Sequence, residues 1–228
     1  FEADFEDNAY GYRPRRSAKD AVKEVHEALT EGRTDVVDPD LSGYFDTIPY
    51  DKLMKSVARR MSDGAVLKLI KMWLKAPVIE EDDDGTCRTE PSTAEGTPQG
   101  GVISPLLANV YMNRFLKFWR LQRLDRRLDA RLVNYADDFV ILTRGHAEEA
   151  FQITKRVMDA LGLTLNERKT RLVDVDQESF DFLGYTFGWE HFRKDGHTYL
   201  AAQPSETSIQ RLKDRIRGWL NRQNPSPW

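Results

Sequence analysis

The stretch Leu132–Leu142, LVNYADDFVIL, sets two adjacent carboxylates, Asp137 and Asp138, inside an otherwise apolar run. Aspartate is depleted from strands, and a buried charge is costly unless it is paired or bound to a metal. Consecutive strand side chains point to opposite faces, so both carboxylates can approach one centre only where a turn bends the backbone between them. About 4 Å apart, they would repel by roughly 4 kcal/mol at an effective dielectric near 20, a cost that a divalent cation converts into binding. Magnesium takes a few carboxylates together with waters and substrate phosphates. A second apolar pair, Val36 and Val37, leads into Asp38-Pro39-Asp40, and Asp40 at the end of that strand would supply a third carboxylate. Two cations about 3.5–4 Å apart could then activate an attacking hydroxyl and stabilise a leaving pyrophosphate. An ordinary Asp-Asp hairpin turn, with Asp40 merely beside a loop, accounts for the same residues.

Between these segments lies Gly96-Thr97-Pro98-Gln99-Gly100-Gly101. Paired glycines let backbone approach a ligand closely, and Gln99 brings both donor and acceptor groups. A helix starting after Ser104 would present free amides that favour anions. A Gly-Pro loop joining a hairpin to a helix is the plainer alternative.

The elements that must hold these residues follow from patterning. Ser17 reads as an N-cap with Asp20 as a capping-box partner, ahead of Ala18, Ala21, Val22, Val25 and Leu29 at helical spacing, with Gly32 ending the run. Asp35–Asp38 reads as a strand. Pro49 opens a helix carrying Leu53, Met54, Val57 and Met61; Ser62 caps the next, with Val66, Leu69, Ile70 and Trp73 on one face and Pro77 closing it. Val78–Glu95 reads as a hairpin around Asp84-Gly85. Ser104-Pro105 combines an N-cap with a first-turn proline, opening a long helix toward Arg131 with a break. Leu132–Leu142 is strand, tight turn, strand, with the two aspartates at the tip. Ala147, Ala150, Phe151, Thr154, Val157, Met158 and Leu161 form a helical stripe ended by Gly162. Leu163–Leu165, Arg171–Val175 and Phe180–Phe187 read as short strands, followed by a hairpin turning at Asp195-Gly196. Ser205 begins a last amphipathic helix with Ile209, Leu212, Ile216, Trp219 and Leu220 on its apolar side. Strands mixed with helices and antiparallel hairpins indicate an α+β fold.

The 228 residues can bury a sizeable core, and 40% hydrophobic with 31% charged residues describes a globular protein. The formal net charge of −3 carries no nucleic-acid signal by itself. It averages over basic stripes, Arg114–Arg131 and Arg211–Arg222, and an acidic run, Glu80–Asp84. Basic stripes suit phosphate contacts, though a solvated helix face has the same composition. A single cysteine, Cys87, excludes an internal disulfide and fits a reducing compartment. No apolar run approaches a membrane span. The chain starts at Phe1 without a methionine or leader and is expected to be a fragment or processed piece of a cytoplasmic protein.

These segments together resemble the reverse transcriptase domain encoded by bacterial group II introns, and the resemblance covers essentially the whole chain. Tyr10–Ala21 (YGYRPRRSAKDA) is similar to the family's fingers block, and Asp40–Asp46 (DLSGYFD) resembles its first palm motif. Gly96–Asn109 (GTPQGGVISPLLAN) is close to a family signature, and Tyr135–Asp138 matches the YADD box. Leu163–Thr170 (LTLNERKT) resembles the next palm block, and Phe182-Leu183-Gly184-Tyr185 resembles the primer grip.

The resemblance implies a right-hand polymerase: partial fingers at 1–32, palm at 33–61, an insertion with a hairpin at 62–95, further palm at 96–203, and the start of a thumb at 204–228. It implies that Asp40, Asp137 and Asp138 bind two magnesium ions, with manganese as a substitute. Leu41, Ser42, Gly43, Tyr44 and Phe45 would line the nucleotide pocket. Phe45 would be the bulky residue that excludes a 2′-hydroxyl. Pro98, Gln99, Gly100 and Gly101 would contact incoming nucleotide and template, and Phe182–Tyr185 would hold the primer end. Lys169 matches a lysine associated with pyrophosphate departure, and a plain surface lysine is the alternative. Arg13, Arg16, Arg120, Arg123, Arg127, Arg211 and Arg215 become backbone contacts for an RNA–DNA hybrid. The implied partners are an RNA template, a DNA primer, deoxynucleotides and intron RNA.

The chain departs from the family's pattern at Arg15 (usually Gly), Lys19 (usually His) and Tyr50-Asp51 (usually His-Asp). Full-length relatives also carry an N-terminal extension with a basic fingers hairpin and a maturase region beyond the thumb, which leaves the activity of this span alone open. Two other readings share these motifs: a reverse transcriptase associated with CRISPR adaptation or diversity-generating elements, and a catalytically silent RNA-binding scaffold. The scaffold predicts decayed metal carboxylates, whereas Asp40, Asp137, Asp138 and Gln99 are all present.

Overall fold

A computed structural model describes residues 1–76, 78–81, 87–90, 95–97, 101–191 and 196–220. After a short 3₁₀ turn at Glu2–Asp4 come α1 (Ala18–Thr30), β1 (Asp35–Asp38), α2 (Tyr44–Thr47), α3 (Tyr50–Ala58) and α4 (Gly64–Leu74). Next are β2 (Val78–Glu81), β3 (Cys87–Glu90), α5 (Ser104–Leu121), α6 (Leu124–Arg127), β4 (Arg131–Tyr135), β5 (Asp138–Thr143) and α7 (Ala147–Leu161). The chain continues with β6 (Arg171–Asp174), β7 (Phe180–Phe182), β8 (Tyr185–His191), β9 (Thr198–Pro204) and α8 (Glu206–Leu220).

The central sheet has strand order β4-β5-β1-β6, and every pair in it is antiparallel. Because side chains alternate, the neighbours Val36 and Val37 face opposite ways, and both are fully buried. Val37, with Leu132, Phe139 and Ile141, packs against the apolar sides of α3, α5 and α7. Val36, with Val133, Val140, Leu142 and Val173, packs against α1 and the β7–β8 hairpin. β1 is therefore clamped between two cores. A second sheet, β7-β8-β9, covers part of the α1 side, and β2 pairs with β3.

Local signals explain most boundaries. Ser17 and Asp20 form the reciprocal capping box, and Arg33 N–H reaches back to the Ala28 carbonyl across Gly32 (φ +88°) in a Schellman closure. Gly162 (φ +78°) stops α7 in the left-handed conformation. Arg123 (φ +51°) makes the break between α5 and α6.

Five local expectations are corrected. The cap of α4 is Asp63, not Ser62: its Oδ1 accepts from the Ala65 and Val66 amides at 2.8 and 3.2 Å. The buried face of α4 is Ile70 and Leu74, leaving Leu69 and Trp73 about half exposed. Ser104 is the first residue of α5, and the cap position is Ile103, without a side-chain bond. Phe180–Phe187 is two strands, because Leu183 (φ +50°) and Gly184 (φ +80°) make a tight turn between β7 and β8. Two positive-φ residues in succession are the signature of a type I′ hairpin. α3 ends at Ala58, before Met61. Pro77, Asp84-Gly85 and Asp195 lie outside the described residues. Among the described residues, no helix is long and apolar enough to cross a membrane.

The N-terminal segment is stitched to the sheet. Ala9 bridges Asn134 in parallel, Tyr10 N–H donates to the Asn134 carbonyl (2.8 Å), and Asn134 N–H donates to that of Asn8 (2.9 Å). Arg13 braces this segment and is not free for a nucleic-acid backbone. Its side chain is 5% exposed, donates to the carbonyls of Glu6 (2.7 Å) and Ala9 (2.9 Å), pairs with Glu2 and lies over the Phe5 ring. Arg16 is likewise tied to Asp7 and lies over the Tyr10 ring. Arg13→Ala should lower the unfolding free energy by about 2 kcal/mol, read as a shift in urea midpoint, because two carbonyls lose a charged donor. An unchanged midpoint with weakened RNA affinity would return Arg13 to a nucleic-acid role.

Candidate active site

The β4–β5 hairpin turns at Ala136-Asp137, with Tyr135 paired across to Asp138 and Ala136 at φ +59°. Asp137 therefore sits in the turn, and Asp138 is the first residue of β5. The Asn134 side chain, almost wholly buried, donates from Nδ2 to the Ala136 carbonyl at 2.8 Å and fixes the turn from within. The third carboxylate arrives on β1. That strand pairs Asp35 with Thr143 and Val37 with Ile141, so its end runs toward the start of β5, and Asp40 just beyond it is near enough for its charge to act on the Asp138 carboxyl. The segment after α7 then grips Asp40. Asp40 N–H donates to Thr170 Oγ1 (3.3 Å), and the Asp40 carbonyl accepts from Asn166 N–H (2.8 Å). Leu41 bridges Leu165, and Ser42 N–H donates to the Thr164 carbonyl (2.9 Å).

Electrostatics mark the same place. Burial pushes the Asp138 carboxyl up to about 6, and the charges of Asp137 and Asp40 push in the same direction. Its side chain also reaches solvent, so part of that repulsion is screened. Asp38 is likewise raised to about 6, by burial first; Arg171, its partner across the β1–β6 pair, pulls it down, and Asp138, Asp40 and Asp181 push it up. Carboxyls that ionise late in the fold help it below about pH 4, their range in the unfolded chain, and that help is lost as pH rises through about 6. Lys169 extends its ammonium to 3.9 Å from Asp40 Oδ2, the nearest counter-charge to that carboxylate. Among the described residues, no three carboxylate, imidazole or thiol groups converge closely enough to hold a metal ion as they stand. The donor set that does gather is all oxygen and anionic, which suits a hard divalent cation.

Beside the carboxylates, Leu41 and Ser42 are half-buried and Gly43 (φ +54°) is exposed at the start of α2. Tyr44 does not line a pocket: its ring is buried and its hydroxyl donates to the Ala108 carbonyl at 2.7 Å. Phe45 remains half-buried, edge-on to Tyr44 with ring centroids 5.7 Å apart. The Gly96-Thr97 segment docks against α2. Gly96 N–H donates to the Ile48 carbonyl (2.9 Å), and Thr97 bonds the Phe45 carbonyl. A Cβ on Gly96 (φ +94°) would lie 2.8 Å from the Asp46 carbonyl oxygen, so the approach requires glycine. Pro98, Gln99 and Gly100 lie outside the described residues, and Gly101 is half-buried where the chain turns into α5.

Phe182-Leu183-Gly184-Tyr185 is the β7–β8 turn. Phe182 is buried, Leu183 and Tyr185 pack against the α1-side core, and the Gly184 carbonyl accepts from Ser205 N–H and Ser208 Oγ, both at 2.9 Å. Arg120 pairs with Glu6 and Arg127 with Glu149, each still half exposed. Arg123, Arg211 and Arg215 are exposed. Sequence reasoning missed Asp38 and Asp181 as members of the acidic cluster. Asp38 was findable, since it lies two residues before Asp40 and strand alternation puts both on one face. Asp181 carries no such signal, because only the folding of β7 onto this side brings it near.

Residues 2–187 match the family described as reverse transcriptase (RNA-dependent DNA polymerase). Protein YkfC of Escherichia coli (strain K12) is 34% identical over 220 residues, covering 81% of this chain and 56% of that protein. The group II intron-encoded protein LtrA of Lactococcus lactis subsp. cremoris is 27% identical over 246 residues, covering 81% of this chain and 40% of that protein. The chain thus spans about half the length, or less, of these curated relatives. Telomerase from Candida albicans, solved in complex with a TWJ fragment of telomeric RNA, superposes with a TM-score of 0.64 at 13% identity, over 96% of this chain and 40% of that one. That likeness is one of fold, the α+β palm of a polymerase. By the family match, which spans most of its residues, the chain belongs to the reverse transcriptase family.

Proposed function

We propose that this chain is the catalytic region of an RNA-directed DNA polymerase, which extends a primer 3′-hydroxyl with deoxynucleotides on an RNA template. The observation that carries the proposal is the gathering of Asp40, Asp137 and Asp138 at adjoining strand ends, where burial first and then the charges of Asp137 and Asp40 raise the Asp138 carboxyl. These three would hold two magnesium ions, or manganese in their place. When bound there, the cations lower the pKa of the attacking hydroxyl and offset the charge of the leaving pyrophosphate. The protein's own groups do the rest. Asp137 in the turn and Asp40 at the strand end approach from two different strands and so fix the spacing of the charges. Lys169, whose ammonium lies 3.9 Å from Asp40 Oδ2, would donate to a departing phosphate oxygen. Phe45, held by Tyr44 behind it and by the Thr97 contact at its carbonyl, presents a bulky ring where a 2′-hydroxyl would enter.

On this reading, 1–32 are partial fingers, 33–61 and 96–203 palm, 62–95 an insertion, and 204–228 the start of a thumb. Pro98–Gly101 would meet the nucleotide and template, and the turn at Phe182–Tyr185 the primer end. Arg120, Arg123, Arg127, Arg211 and Arg215 keep the solvent access that phosphate contacts need. Similarity to a group II intron-encoded protein supports intron RNA as the partner and intron mobility as the setting.

Asp137→Asn should reduce magnesium-dependent extension on an RNA template by on the order of a thousandfold, since a lost ligand removes several kcal/mol of transition-state stabilisation. Near-normal extension would reject the assignment. Phe45→Ala should raise incorporation of ribonucleotides relative to deoxynucleotides by roughly tenfold or more, the scale of a steric pocket's discrimination. Unchanged discrimination, measured with each nucleotide in turn, would remove Phe45 from that role.

A further inference from the structure

The YADD turn is held from behind by residues outside the carboxylate cluster. Gly11 lies directly against it: a Cβ built on Gly11 would sit 2.5 Å from the Ala136 amide nitrogen and 3.0 Å from the Tyr135 carbonyl carbon. Backbone contacts this close are open only to glycine. The Gly11 carbonyl is in turn fixed by Asn109, whose Nδ2 donates to it at 2.8 Å. Asn109 is 6% exposed and stands on α5, the helix that leaves the Gly101 turn. The strand-like pairing of Asn8 and Tyr10 with Asn134 holds the same segment on its other side, and the Tyr12 and Tyr135 rings lie 6.5 Å apart. Three parts of the chain distant in sequence are thus joined through one glycine.

We propose that Asn109 and Gly11 form a latch that positions the YADD turn, setting Asp137 and Asp138 against Asp40. The latch rests on the polymerase reading for its effect on rate, but not for its effect on the turn itself. Ala136 holds an unfavourable positive φ (+59°), and without support behind it the turn is free to relax and carry the carboxylates with it. Asn109 is a buried donor whose acceptor is a backbone carbonyl, so its loss loosens Gly11 without removing any group from the site. Both are positioning residues.

The test uses Asn109→Ala and Gly11→Ala in the full chain. Hydrogen exchange of the amides of residues 134–138 should accelerate by about tenfold or more in Asn109→Ala, while β5 beyond Val140 and α7 stay protected. In primer extension both variants should lose kcat, by up to about a hundredfold for a displacement near 1 Å, with KM for the deoxynucleotide within about twofold of wild type. The half-saturating magnesium concentration should rise, and Mn²⁺ affinity measured by electron paramagnetic resonance should fall in parallel. Unchanged exchange at the turn in Asn109→Ala would overturn the latch, as would a loss of extension explained wholly by KM. If Gly11→Ala fails to fold, Asn109→Ala decides alone. A wild-type chain that shows the exchange pattern but makes no DNA with any template would count against the polymerase reading and leave the latch standing.

Discussion

Everything in this molecule answers to one constraint: like charges must be kept together. Two adjacent aspartates and a third from another strand repel one another, and the Asp138 carboxyl is raised by burial first and by the charges of Asp137 and Asp40 after it. A flexible loop would relieve it by spreading. The β1 strand resists because it is short and buried on both sides, with Val36 and Val37 each fully enclosed in a different core. Fully burying a valine is worth about 1.5–3 kcal/mol, so each of the two adds to what holds the strand in place against that repulsion. Sliding β1 by one residue would exchange Val36 with Val37 and turn Asp40 away from the cluster, so the core that stabilises the strand also fixes its register.

The second part of the solution is support from outside the sheet. The segment 164–170 bonds the backbone of Asp40 and Ser42 and brings Lys169 to the same side. Gly96-Thr97 does the same for α2, closing on the carbonyls of Phe45 and Ile48. Most of these bonds join main chain to main chain, with the Thr170 and Thr97 hydroxyls adding to them, which leaves the side chains of Asp40, Ser42 and Phe45 free for chemistry. Tyr44 shows the division of labour within one motif. It is turned into the core by its bond to Ala108, while its neighbour Phe45 stays half-buried with its ring edge-on to Tyr44.

Much of this was readable in the residues. The capping box at Ser17, the strand Asp35–Asp38, the stripe ending at Gly162 and the hairpin around YADD all rest on local chemistry, and local chemistry is what a sequence displays. The failures share a cause. Ser62 and Ser104 are good caps in isolation, but Asp63 wins by accepting from two amides, and Ser104 is drawn into the helix by the Gly101 turn before it. Leu183-Gly184 hides an I′ turn because leucine rarely adopts positive φ. Arg13 looked like a surface cation because its partners, Glu2 and the carbonyls of Glu6 and Ala9, fold back on it only in three dimensions. The acidic cluster was legible at Asp40, Asp137 and Asp138, whereas Asp181 entered it through the packing of one hairpin on another.

The joint between β7–β8 and α8 has a mechanical meaning. The amide of Ser205 and the hydroxyl of Ser208 both fasten to the Gly184 carbonyl, while none of the residues of α8 is buried. The helix is therefore a lever hinged at one end. Its 15 residues give an arm of about 22 Å, so a rotation of about 10° at the hinge sweeps the far end through roughly 4 Å. Whatever grips the exposed row of Ile209, Leu212, Ile216 and Trp219 pulls on that arm. That arm is anchored at the turn whose flanking strand carries Asp181, one of the charges acting on Asp38.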